Sequence, residues 1–190
     1  MEVVSAAAAS TAAKNVVEFK LESPYRYAAS LAAISLMVAF HESDRPLSII
    51  SHGLAALKFA NMSEWFHGAD EWSQAVLPGI APAFALVAVM AVPAVILGRG
   101  SVGDSRAAAT LWLMLFALAS APASDLRGLW PMMGVFLIVG LVRRAIRERN
   151  GLSGLGTGVA VLIFELAIAA GYLPLSFLLW ALSAAQAVKK

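Results

Sequence analysis

Glu165 is the residue whose chemistry most needs explaining. It sits in VLIFELAIAAGYLP (161–174), a run with no other charged side chain. At about 1.5 Å rise per residue it would lie roughly 15 Å into a helix that begins at Leu155, near the middle of a bilayer. An ionised acid at that depth is costly, so it is paired, protonated or wetted. It could bind a proton or cation, act as a general acid or base, or hold two helices or two subunits together by hydrogen bonds. The sequence offers no second acid within an apolar run, so two-carboxylate catalysis has no support.

The histidines are His41, His52 and His67. His41 begins HESDR (41–45), a charged turn at the end of an apolar run, and His52 is expected to be the better buried of the two. Either could assist Glu165 in a membrane-embedded enzyme. Their spacing matches no metal-ligand pattern, and there is no cysteine to complete one. No metal and no cofactor is implied. Serines are frequent, yet no G-x-S-x-G nucleophile turn occurs.

GLSGLGTG (151–158) lacks the lysine of a phosphate loop. Gly154 and Gly158 read instead as a close-packing step at the start of a helix. Ala85, Ala88, Ala91 and Ala94 form a second small-residue strip with the same expected use. RRAIRER (143–149) places Arg143, Arg144, Arg147 and Arg149 where they could meet lipid headgroups or a partner, or anchor the topology.

These residues are carried by an unusually apolar chain. Of 190 residues, 60% are hydrophobic and 14% charged, with mean hydropathy +0.77. Soluble domains are about 45–50% apolar and about 25% charged. The composition predicts an all-α polytopic membrane bundle, because only helices or closed barrels satisfy the backbone in lipid and these runs are too long and apolar for barrel strands. A net charge of +2 gives no reason to expect nucleic acid.

Five transmembrane helices are predicted: 24–41, 75–98, 107–122, 129–149 and the first part of 155–188. The stretch 46–66 reads as an amphipathic helix in the interface, with a second complete crossing as the alternative. Gly171 and Pro174 are expected to break the last run, leaving 174–188 as a second interfacial segment or a sixth crossing. Residues 1–23 read as a cytoplasmic tail preceding a single domain, 24–190. The positive-inside rule places the N-terminus in the cytoplasm, with Lys14, Lys20, Arg26, Arg99, Arg106 and the 143–149 arginines inside and Arg45, Lys58 and Arg127 outside.

The pattern suits a bacterial-type inner-membrane protein in contact with lipid and with another membrane protein or a second copy. A non-catalytic subunit or assembly factor fits the sparse polar inventory best. A transporter component with a midplane site at Glu165 is the alternative, and an enzyme using Glu165 with His41 or His52 is a third.

Overall fold

The computed structural model describes residues 24–97, 106–121, 129–149 and 151–188. The expected tail 1–23, Arg99, the turn at Arg127, and Lys189 with Lys190 lie outside them. The described chain is an all-α bundle of six helices: α1 Pro24–Glu42, α2 Pro46–Ala56, α3 Ala60–Leu97, α4 Arg106–Ser120, α5 Leu129–Glu148 and α6 Leu152–Val188.

α1, α3, α4 and α5 run up and down, α2 is a short spur between α1 and α3, and α6 passes across the end where α3 stops and α1 and α4 begin: Gly158 lies against Ile96, Ala169 clusters with Val95 and Ala108, and Ala170 meets Ser30. Tyr25 meets Arg106 and Thr110, so α1 and α4 start at the same end. Ala108 clusters with Val95, while Ser120 accepts a hydrogen bond from Ser73, so α4 runs back along α3. Gly140 faces Pro93, and Arg144 reaches the Ile96 carbonyl, so α5 runs alongside the second half of α3. The core forms around α3, whose buried Ala81, Ala88, Val89, Val92 and Ile96 meet Leu111 and Leu118 of α4. Alanines on that face let the axes approach closely.

Two helices, Ala60–Leu97 and Leu152–Ala181 within α6, are long and apolar enough to cross a membrane. Five were expected. α4 has 15 residues. α1 opens on Pro-Tyr-Arg-Tyr and closes on His-Glu, and α5 spends its last turns on Arg143, Arg144 and Arg147.

The segment 46–66 is not one amphipathic helix. α2 stops at Ala56, and Lys58 turns the chain with φ 64°. The Phe59 N–H bonds the Leu54 carbonyl and the Lys58 N–H bonds that of Ala55, each at 2.9 Å. This is a Schellman ending with lysine where glycine is usual. The same device ends α1, where Ser43 has φ 55° and the Asp44 N–H bonds Ala39 at 3.0 Å. α3 then runs on through the expected aromatic belt for 38 residues, with Pro78, Pro82 and Pro93 inside it. Ser51 and Ser63 exchange hydrogen bonds at 2.9 Å and lace α2 back against α3.

Nor does the last run break. α6 is continuous for 37 residues with Pro174 inside it, so 174–188 neither turns back as a sixth crossing nor forms a separate interfacial helix. Pro174 has no N–H for the carbonyl four residues earlier, which is that of Ala170. Ser30 of α1 supplies the donor: its Oγ bonds the Ala170 carbonyl at 2.5 Å and accepts the Leu173 N–H at 3.0 Å. A neighbouring hydroxyl thus repairs the backbone that the proline opens.

Candidate functional site

Charge is separated along the bundle. At one end lie Glu42, Asp44, Glu64, Asp70 and Glu71 with the three histidines; at the other lie Arg106, Arg143, Arg144, Arg147 and Arg149.

The acidic end is built on the connector Ser43–Arg45. Arg45 is extended (φ −89°, ψ 145°), the conformation imposed on a residue before proline, and Pro46 opens α2. Asp44 accepts the Arg45 N–H at 2.7 Å and the Ser48 hydroxyl at 2.9 Å. The backbone bond from Arg45, and then the Ser48 bond, hold its carboxyl below the ordinary value. Arg45 turns the other way and ion-pairs with Asp70 of α3, Nη2 to Oδ2 at 2.7 Å. Asp70 is 2% exposed, and Ser73 and Ser120 beside it are also buried.

His52 was expected to be buried, but 73% of its side chain is exposed. A short amphipathic spur at the bundle's end cannot cover it. Its Nδ1 is 3.8 Å from Asp44, longer than a hydrogen bond. It lines a shallow open groove of about 610 Å³ with Val38, Glu42, Ser43, Asp44, Ile49 and Gly53. His41 is exposed at the end of α1. His67 lies 3.5 Å from Glu71 on the outside of α3. Among the described residues, no three His, Asp or Glu side chains are grouped as a metal ion would need.

Glu165 lies elsewhere. It is half-buried on the inward stripe of α6, which also carries Leu162, Leu166 and Ala169. Oε2 of its carboxylate is buried. The next residue's carbonyl accepts the Trp112 indole N–H at 3.1 Å, tying α6 to α4 at this level. α6 packs on α1, α3, α4 and α5, whereas His52 is on α2, which packs mainly on α3 and α1. The described contacts bring neither His41 nor His52 to Glu165.

The small residues differ in use. A Cβ on Gly154 would meet the Cα of Ala145 at 2.9 Å, and one on Gly158 would meet Leu141 Cδ2 at 2.7 Å. α5 and α6 therefore touch almost backbone to backbone. Ala88 and Ala91 are buried, Ala85 is half-buried against the core, and Ala94 is exposed. A three-residue spacing slips about 60° per step on a helix of 3.6 residues per turn, so the strip walks off the interface.

The arginines also divide. Arg144 donates to the Ile96 carbonyl at 2.5 Å and pairs with Glu148 at 2.8 Å, while Arg147 donates to the Leu97 carbonyl at 3.2 Å. These are the last carbonyls of α3, at the negative end of its dipole. Arg143 and Arg149 are exposed.

Sequence reasoning missed Ser30, Asp70, Arg45 and Trp112. A serine in an apolar run, with a proline elsewhere demanding a donor, was the available clue to Ser30, though Ser35 of the same run offered it equally. Asp70 carried none, because nothing local separates it from Glu64 or Glu71. No family model matches the chain, and neither do any curated protein or solved structure.

Proposed function

We propose that this chain is a small multi-pass protein of a bacterial-type inner membrane, serving as a non-catalytic subunit or assembly factor of a membrane complex. The observation that supports it is where the apolar surface faces. Only 22% of the apolar window of α6 is buried inside the bundle, and 39% of that of α3. A core helix of a soluble protein would be mostly covered. Along α5, Val135, Ile138, Val139, Val142 and Ile146 face outward, and along α6 so do Ile163, Phe164, Phe177 and Trp180. Lipid or the apolar flank of another subunit suits such a surface.

The up-and-down course of α1, α3, α4 and α5 suits four crossings, with α2 and the first turns of α3 outside the hydrocarbon, and the length and apolarity of α6 suit a fifth. The arginine-rich end then faces the cytoplasm, together with the N-terminus. Polar groups within the bundle mostly serve backbone repair and helix ends, which favours assembly over chemistry. A second reading, a proton- or solute-coupled transporter component, draws on the inward position of Glu165 in an apolar helix, since an ionisable residue within a membrane helix commonly marks an ion or proton path.

Purification from native membranes, in parallel for tagged wild type and Glu165→Gln, separates the two. The subunit reading expects a stoichiometric membrane partner or a second copy with wild type, lost in the variant. If both purify alone and equally stable, the subunit reading fails. Loss of proton-coupled uptake in Glu165→Gln would then favour the transporter.

A further inference from the structure

The arginines at the end of α5 divide by direction, and the outward pair continues an apolar stripe. Arg144 and Arg147 are engaged inward by the Ile96 and Leu97 carbonyls. Arg144 also pairs with Glu148, the one acid of α5. Arg143 and Arg149 are exposed. Val135, Ile138, Val139, Val142 and Ile146 are exposed too. They recur at the three- and four-residue spacing of a single helix face. The other face of α5, with Met133, Phe136, Leu137 and Leu141, packs on the core. Arg143 stands one turn beyond Val139, on the flank of the stripe. Arg149 stands three residues beyond Ile146, in the turn that ends the helix at φ 52°.

We infer that the outer face of α5 is a binding site for an anionic phospholipid, with acyl chain along the Val135–Ile146 stripe and phosphate at Arg143 and Arg149. The inference rests on reading the chain as a membrane protein. Length supports it. From Val135 to Ile146 the helix rises about 16 Å, close to half of a hydrocarbon core of about 30 Å. An acyl chain of one leaflet therefore ends where the arginines begin. Their stems can lie on apolar surface while the guanidinium heads stay in the polar layer. Each guanidinium fork matches two phosphate oxygens. Charge selects the headgroup. The acid of α5 is already paired with Arg144, so the outward pair is not neutralised from its own helix. An anionic headgroup brings the opposite charge, whereas a zwitterionic one brings a cation of its own. Arg144 and Arg147, held by α3, belong to the fold rather than to the lipid.

The test is thermal unfolding of the full-length chain, extracted from membranes into nonionic detergent, with dioleoyl phosphatidylglycerol or dioleoyl phosphatidylcholine added to the micelles. A ligand that binds only the folded chain raises Tm as its concentration passes Kd. Phosphatidylglycerol is expected to raise Tm more than phosphatidylcholine does. Arg143→Gln and Arg149→Gln should each need on the order of fivefold more phosphatidylglycerol for the same rise. The double variant should need more than either. Lys58→Gln removes the same charge from the exposed turn after α2 and should respond as wild type does. Equal protection by the two lipids overturns the inference. So does a full response in the double variant, or a loss in Lys58→Gln as large as in Arg143→Gln. Equal protection by inorganic phosphate shows an anion site and overturns the lipid. A chain found in the soluble fraction overturns the membrane reading and this inference together, whereas a membrane-bound chain indifferent to headgroup overturns the inference alone.

Discussion

The hydroxyl of Ser30 bonds the carbonyl of Ala170, 140 residues away, because Pro174 has no N–H to offer it. The same oxygen accepts the Leu173 N–H, so one serine closes a gap in the ladder of α6 from both sides. Ser30→Ala is expected to cost about 1–3 kcal/mol, the penalty for a buried polar group left unpaired. In a Pro174→Ala background the carbonyl regains a helix donor, and the cost of Ser30→Ala should shrink. Equilibrium unfolding of the four variants in a double-mutant cycle gives the coupling. Additive effects would mean that the serine does not serve the proline.

The helix contact at Gly154 is set by distance to backbone, and that at Gly158 by distance to a side chain. Gly154→Ala should cost about 1–3 kcal/mol, because the Cα of Ala145 cannot move aside. Gly158→Ala should cost less, since Leu141 Cδ2 is the end of a flexible side chain. Gly156→Ala meets nothing within 4 Å and should stabilise the helix by up to about 1 kcal/mol. Midpoints in a denaturing-detergent titration should rank Gly156→Ala first, wild type second and Gly154→Ala last.

Arg144 and Arg143 are adjacent in sequence and unlike in role. Arg144→Ala strips the Ile96 carbonyl of its charged donor and leaves Glu148 without its partner. A loss of about 1.5–3 kcal/mol is expected. Arg143→Ala, on the exposed side, should stay within about 0.5 kcal/mol of wild type. Equal effects in thermal melts would show that Arg144 does not cap α3.

Asp44 gives the acidic end a pH dependence of known sign. Its carboxyl is held below 3.8, first by the Arg45 N–H and then by the Ser48 hydroxyl, with partial burial opposing them. The unfolded chain therefore binds this proton more readily than the folded one. The stabilisation is complete above the unfolded value of about 3.9 and disappears as pH falls through the lower folded value. Asp44→Asn should lower stability at neutral pH and flatten the acid limb of the Tm–pH curve below about pH 4. An acid limb identical to wild type would show that Asp44 contributes nothing there.

Much of the architecture was legible because its signals are local. Runs of Ala, Leu and Val fix helices, and their lengths placed α1, α4 and α5 to within a few residues at both ends. The ends of α1 and α2 show the limit. Ser43 and Lys58 adopt positive φ although neither is glycine, so the helix stop at Lys58 left no mark. The expectation of a break at Pro174 failed for the opposite reason. The local rule was sound, but the missing donor came from α1. The exposure of His52 follows from α2 being a spur at the bundle's end, a matter of placement that its own residues do not encode.

The sequence alone determined that the described chain is helical and strongly apolar, and that its charges divide between arginine-rich and acid-rich connections. Propensity and patterning act over one or two turns, so they can be read from neighbours in the chain. Only the tertiary structure decided which acid is buried against Arg45, which hydroxyl repairs α6, which glycines touch backbone and which arginines end α3. Each of those depends on a partner from another segment: Asp70 for Arg45, Ala170 for Ser30, Ile96 for Arg144. Burial makes such pairings costly to leave unmade, and burial is a property of the packed bundle rather than of any one segment.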